Sequence, residues 1–207
     1  MAATIPALFE RMDKLPEQSS KEAIRTAQEC YDAFKHALEL TEAWENEYRC
    51  TTRFPSYWLK PGGADGTPCL WFQSITSANA LTHYWALQII CRDNISQLRA
   101  RFPEIVVSDD TKALLDAHGE DNVDIAVKIC QSIEYLMQDE MRLFGPSSVI
   151  LPLRVAYDTL QAGGSGTSEK LLCCQRIIAR ILGKGFQFVT LFFDVFANSS
   201  LPYAIKN

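Results

Sequence analysis

The sequence lacks the short motifs that mark most cofactor-dependent and nucleophilic chemistry. It has no glycine-rich phosphate loop, no nucleophile elbow, no pair of histidines at metal-binding spacing and no DNA-reading motif. Seven cysteines are present, but none forms a C-x-x-C pair. Neither a zinc site nor a dithiol redox motif is therefore predicted. We expect no nucleotide, metal or flavin cofactor.

Basic runs and long apolar runs are also missing. The chain has 207 residues and a formal net charge of -5. Because phosphate contacts supply most of the affinity of nucleic-acid binders, no nucleic acid is expected as a partner. The richest apolar run, 186–197, is about twelve residues long and contains Asp194, whereas a helix that spans a bilayer needs about 20. No membrane partner is expected.

The composition that remains is typical of one globular domain over 1–207, with 47% hydrophobic and 22% charged residues. The beginning, MAATIPALFERMDKLP, has neither a basic start nor a long apolar segment, so a signal peptide is not predicted. Scattered cysteines, odd in number, favour buried reduced thiols and a cytoplasmic or nuclear location. A disulfide-bearing protein is the alternative.

Helical periodicity predicts an all-α fold. The stretch Cys69–Phe102 contains no Gly or Pro and is apolar nearly all round over its first two thirds, which is typical of a helix at the centre of a bundle. We expect a single-domain bundle of about six or seven helices around a central helix at about 71–100. The other longer helices are expected at 20–48, 123–143, 147–162 and 168–197. Without sustained period-two alternation, no strand is predicted.

A polar stripe interrupts the apolar surface of this central helix. At 100° per residue, Gln73, Thr76, Asn79 and His83 fall within about a third of the circumference. Polar groups that converge between apolar walls are typical of small-molecule pockets. His83 is the candidate proton donor, with a satisfied core histidine as the alternative. Gln73, Thr76 and Asn79 are candidate substrate-binding residues, together with Trp58 from an aromatic, Pro- and Gly-rich loop predicted at 51–68.

Glu140 is a carboxylate in an unexpected place. On the helix predicted at 123–143 it falls in the middle of the apolar face, where an unpaired carboxylate is costly. Arg154 is the nearest candidate partner in the sequence. A structural Glu–Arg pair is one interpretation, and a general acid or base beside a pocket is the other. The candidate catalytic residues are therefore His83, Glu140 and Arg154, and no metal ligands are predicted.

Two segments are similar to the C-terminal regulatory region of fungal zinc-cluster transcription factors: FPSYWLK…LWFQSITSANALTHYWALQIIC at 54–91 and DIAVKICQSIEYLMQDEMRLFGPSSVILPLRVAYDTL at 124–160. The resemblance covers roughly 25–195 and implies an all-α domain that senses or transmits regulatory signals. The family's N-terminal six-cysteine cluster has no counterpart, since the first cysteines are Cys30 and Cys50. The chain is therefore expected to be either an excised fragment or a stand-alone relative, and the start MAATIPALFERM favours the stand-alone relative. In neither case should it bind DNA in the family's way.

Two functions follow as predictions. The first is a stand-alone domain that binds a small lipophilic molecule and is linked to secondary metabolism. The alternative is a cofactor-free cyclase or isomerase acting on a polyketide or terpenoid, with His83 as the acid, Glu140 orienting it and Arg154 holding an anionic oxygen. The phenylalanines at 186–196 are predicted to be core, and they leave a homodimer surface open as an alternative.

Overall fold

The computed structural model of the chain describes residues 5–16, 20–61, 68–107, 121–186, 190 and 193. Within that part, seven α-helices and one two-stranded sheet form an all-α helical bundle, so the predicted fold class is confirmed. The helices are α1 (Ile5–Asp13), α2 (Lys21–Thr51), α3 (Ile75–Arg101), α4 (Asn122–Leu136), α5 (Phe144–Ser148), α6 (Ile150–Ala162) and α7 (Ser168–Gly183). The strands are β1 (Tyr57–Lys60) and β2 (Cys69–Phe72).

The strands are a correction to the helical prediction. β1 and β2 pair antiparallel, with Trp58 opposite Trp71. The stretch 51–68 is therefore not wholly irregular, and the central helix does not begin near residue 71. In β2, Leu70 and Phe72 are buried and Trp71 between them is half-buried. The strand is only four residues long and Cys69 is buried as well, so no period-two pattern stands out in a sequence rich in apolar residues on every side.

The central helix begins at Ile75 because Ser74 caps it. The backbone N–H of Ser77 donates to Ser74 Oγ at 3.1 Å, and the N–H of Ala78 donates to the Ser74 carbonyl at 3.0 Å. A serine at this position satisfies a donor that the first helical turn leaves unpaired. As predicted, the helix is buried on most sides, and even Thr82 and Gln88 are buried.

The chain divides into two compact units, and α3 contributes residues to both. The first unit comprises 1–54 and 87–121. Its core is formed by α1, α2 and the second part of α3. Its largest fully buried side chains are Tyr31, Phe34, Leu38, Ile89, Ile95, Leu98 and Phe102. Arg101 donates to the carbonyl of Leu15 at 2.6 Å within this unit. The expectation of one domain over 1–207 stays a prediction.

The second unit comprises 55–86 and 122–207, and it contains the candidate site. Here α4 packs against β2, α6 and α7. Aromatic rings join the sheet to the helices: Phe72 packs against Tyr135 of α4 at 5.4 Å and Tyr57 against Trp85 of α3 at 5.5 Å, both between ring centroids. α4 thus contacts both the sheet and two helices of this unit.

None of the described helices is both long and apolar enough to cross a membrane. The last helix ends at Gly183, so its expected continuation to residue 197 is not seen at 184–186. Most of 187–197, with Phe188, Phe192 and Phe196, lies outside the described residues. Phe193 is described and buried, and its ring meets that of Tyr157 edge-on at 5.8 Å.

Candidate functional site

The second unit contains a pocket of about 350 Å³ between α4, α7 and the beginning of β2. Small-molecule sites in proteins typically measure about 300–1,000 Å³, so this pocket suits a small ligand. Its apolar and thiol walls are formed by Val127, Leu160, Ile177, Cys69, Cys130 and Cys173. Its polar and charged lining residues are Gln131, Glu134, Glu169, Lys170, Arg176 and Arg180.

Helical spacing explains why these side chains line one pocket. In α4 the lining residues are Val127, Cys130, Gln131 and Glu134, at positions i, i+3, i+4 and i+7, which share one helix face. In α7 the lining residues follow the same periodicity from Glu169 to Arg180. Two facing stripes, one on each helix, therefore form the two long walls.

An ion pair crosses the pocket. Arg180 Nη1 of α7 donates to Glu134 Oε2 of α4 at 2.8 Å. Because both side chains are partly exposed, the pair contributes little to stability, but it fixes the position of the guanidinium. Among the described residues, Lys170 and Arg176 form no ion pair, and the lining carries one more positive than negative group. The pocket therefore favours an anionic ligand.

The thiol wall continues into the core. Cys173 is half-buried in the pocket, whereas its neighbour Cys174 is fully buried. A hydrogen bond with Cys130, together with burial, holds the pKa of Cys174 well above its usual range. Cys174 therefore stays protonated, and Cys130 links it to the pocket. The vicinal cysteines thus have different surroundings.

The structure does not assemble the predicted polar stripe into one surface. Gln73 and Thr76 are exposed, and Gln73 Nε2 donates to the carbonyl of Pro55 at 3.1 Å. Asn79 and His83 are half-buried, and His83 Nδ1 lies 2.9 Å from the Asn79 backbone oxygen. His83 does not line the pocket between α4 and α7. Its placement is that of a histidine bonded within its own helix.

Asn79 carries a buried hydrogen-bond acceptor in the polar stripe. Its side-chain oxygen is buried and finds no hydrogen-bond partner among the described residues. A buried acceptor without a partner costs stability. The predicted binding residue Trp58 lies elsewhere, on β1, where its side chain is 41% exposed.

The predicted pairing of Glu140 with Arg154 is wrong. α4 ends at Leu136, and Glu140 is exposed in a 3-10 turn at Asp139–Met141. Arg154 Nε donates instead to Asp158 Oδ2, one turn along α6, at 2.7 Å. Glu140 was predicted to lie on an apolar helix face, and that prediction required the helix to continue to residue 143.

The early end of α4 has a structural cause. Lys184 Nζ donates to the Met137 carbonyl at 2.7 Å and so satisfies an acceptor that would otherwise continue the helix. Arg142 then adopts a φ of 49°, and a positive φ is uncommon for a residue other than glycine. Gly145 is the second residue of α5.

Sequence reasoning missed the residues that line the pocket. The helical pattern of 168–197 places Arg176 and Arg180 mostly outward, and both are exposed. Cys69 and Cys130 are buried, as expected of core thiols, but the pattern did not show that these side chains line a pocket. The 3-4 spacing of Val127, Cys130 and Glu134 shows that they share one face of α4. That spacing alone does not show which other helix packs against this face. In the described part of the chain, no cluster of three or more His, Cys, Asp or Glu side chains could hold a metal ion.

The fold and the pocket define an all-α helical bundle with a ligand-sized, mixed apolar and cationic site. In comparisons with known proteins, no family model, no curated protein and no solved structure matches this chain. The resemblance to fungal zinc-cluster regulatory regions therefore stays a prediction, supported by the segments 54–91 and 124–160.

Proposed function

We propose that this protein is a non-catalytic helical domain that binds a small molecule with an apolar body and an anionic group. The observation that carries the proposal is the pocket between α4 and α7, where aliphatic and thiol walls adjoin two arginines and a lysine. The proposed ligand is therefore the lipophilic molecule expected from the sequence, with an anionic group in addition. The proposal retains the expected fungal origin, cytoplasmic or nuclear location and link to secondary metabolism.

The apolar and the charged residues of the pocket lining would contact different parts of the ligand. Val127, Leu160 and Ile177 offer apolar surface, and burial of a ligand's apolar area contributes about 25 cal/mol per Å². Arg176 and Lys170 offer charged donors, and hydrogen bonds with an ionised partner are roughly twice as strong as neutral ones. A molecule with only one of these features would satisfy half of the site.

The cyclase alternative receives no support from the geometry. It required His83, Glu140 and Arg154 to meet around a substrate. Glu140 is exposed in its turn and Arg154 is paired with Asp158. A ligand-binding function needs none of these contacts.

Calorimetric titration with sodium decanoate tests the proposal, because decanoate combines a flexible apolar chain with one carboxylate. We expect saturable binding to the wild-type protein and weaker binding of 1-decanol, which lacks the charge. Arg176→Gln should weaken decanoate binding about tenfold, since a charged hydrogen bond is worth about 1.5 kcal/mol.

Arg25→Gln is the matched control, because Arg25 is an exposed arginine of α2 in the first unit. It should leave decanoate affinity unchanged. Equal losses in the two variants, or equal affinity for decanoate and 1-decanol, would show that the pocket does not select an anionic ligand.

A further inference from the structure

Three thiols from three separate elements line the same pocket. Cys69 comes from β2, Cys130 from α4 and Cys173 from α7. Cys69 and Cys130 are each 9% exposed, whereas Cys173 is half-buried and thus the most accessible of the three. Non-covalent binding of an amphipathic anion does not require any thiol. This concentration of nucleophilic side chains therefore points to chemistry beyond binding.

We propose that the pocket captures electrophilic carboxylates by covalent addition to Cys173, an inference that rests on the proposed ligand-binding function. The chemical class is α,β-unsaturated carbonyl compounds that carry a carboxylate. In the addition, Cys173 Sγ forms a bond to the β-carbon, the carbon–carbon π bond breaks, and the thiol proton ends on the α-carbon. No oxidant, leaving group or cofactor is needed.

The position of Cys173 relative to the cations supports this assignment. Arg176 follows Cys173 by three residues in α7 and Arg180 follows by seven, so all three project from the same helix face. Glu134 holds the Arg180 guanidinium across the pocket. A carboxylate bound by Arg176 would keep the attached alkene beside Cys173. Such proximity converts a bimolecular addition into an effectively unimolecular one.

Two other cysteines serve as internal standards. Cys50, in α2, is exposed and belongs to the first unit, so it reports the reactivity of a solvated thiol. Cys91, in α3, is fully buried, and burial raises its pKa to about 12. Because the thiolate is the nucleophile, Cys91 should stay unmodified for as long as the protein is folded.

Competitive labelling with two maleimides tests the proposal. The anionic reagent is 6-maleimidohexanoic acid and the neutral reagent is N-ethylmaleimide, each used below the protein concentration. Peptide mass spectrometry then gives the ratio of adduct at Cys173 to adduct at Cys50. We expect this ratio to be about tenfold higher with the anionic reagent, which corresponds to one charged hydrogen bond.

The variants decide the interpretation. Arg176→Gln should lower the ratio for the anionic reagent to that for N-ethylmaleimide, and Arg25→Gln should leave it unchanged. Excess decanoate should protect Cys173 but not Cys50. Equal ratios for the two reagents in the wild-type protein, or preferential modification of Cys69 or Cys130, would overturn the assignment.

The outcome can be separated from that of the proposed function. Calorimetry with decanoate on the wild-type protein, with no electrophile present, measures the non-covalent binding by itself. If decanoate binds but the anionic reagent shows no preference for Cys173, covalent capture is wrong and the binding site stands. If decanoate does not bind and the preference is also missing, both proposals are wrong.

Discussion

Gly145 brings the backbone of α5 against the end of α4. A Cβ atom at this position would overlap the carbonyl oxygen of Leu136 and would lie 2.7 Å from Met141 Cβ. The first of these neighbours is backbone and cannot move aside at little cost. The glycine is therefore required by close packing, which determines how the chain continues after α4.

Replacement of Gly145 by alanine should lower the free energy of unfolding by about 1–3 kcal/mol, the range seen when a tight interior is overpacked. Urea denaturation measures this change. Gly183→Ala is the control, since a Cβ there would meet no atom within 4 Å, and it should alter stability by no more than about 0.5 kcal/mol. Equal effects of the two substitutions would contradict the close approach at Gly145.

The residue scale is also where prediction from the sequence was weakest. The apolar first two thirds of the central helix was correctly expected to be buried, since Ala78 and Trp85, for example, are buried. Asn79 and His83 are only half-buried, and Thr76 on the same stripe is exposed. Helical periodicity shows on which face of the helix a side chain lies, but not how deeply the packing of other elements buries it. For that reason it could not show whether a stripe lines a pocket.

At the scale of elements, one lysine ties α7 to the end of α4. Lys184 Nζ donates both to the Met137 carbonyl and to Asp139 Oδ1, at 2.7 and 2.9 Å. The hydrogen bond from Lys184, reinforced by its charge, holds the pKa of Asp139 below the usual 3.8. These contacts join the two helices that form the long walls of the pocket.

The titration of Asp139 tests this link. Its carboxyl carbon, followed by NMR, should titrate below pH 3.8 in the wild-type protein and return towards 3.8 in Lys184→Gln. Since the folded pKa is the lower one, the ionised carboxylate stabilises the fold above pH 3.8, and this contribution is lost as the pH falls through the folded value.

The stability difference between wild type and Asp139→Asn should accordingly be small at pH 7 and shrink below pH 3.8. An unchanged Asp139 titration in Lys184→Gln would contradict the hydrogen bond.

Element boundaries show where local patterns stop being sufficient. β2 was expected to belong to a helix because its residues are apolar and contain no Gly or Pro, yet cross-strand pairing with β1 decides its conformation. The predicted helix over 123–143 was too long, and the Met137 carbonyl just beyond its observed end accepts a hydrogen bond from Lys184, 47 residues further along the chain. Both errors come from contacts between residues distant in sequence.

At the scale of the whole molecule, fold class was predictable and the site was not. Helical spacing recurs through most of the chain, so an all-α bundle follows from local patterns. The pocket depends on α4 facing α7 and on the position of β2 beside them, and neither arrangement is encoded in one segment.

The net charge supports a further expectation for the whole molecule. With a formal charge of -5 and no basic run, the chain should not bind duplex DNA specifically. Fluorescence anisotropy of labelled duplexes at low and moderate salt should show no saturable, salt-sensitive binding below micromolar concentration. Nanomolar binding that weakens steeply with salt would contradict this expectation.

Binding of an anionic amphipathic molecule between α4 and α7 is the central claim, and chemical-shift mapping with decanoate tests it most directly. Amide resonances of an isotopically labelled protein would be followed during the titration. The predicted result is a saturable set of shifts concentrated at Val127, Gln131, Cys173 and Ile177, and strongly reduced in Arg176→Gln. Shifts centred on His83, shifts scattered over the surface, or no saturable shifts at all would contradict the claim.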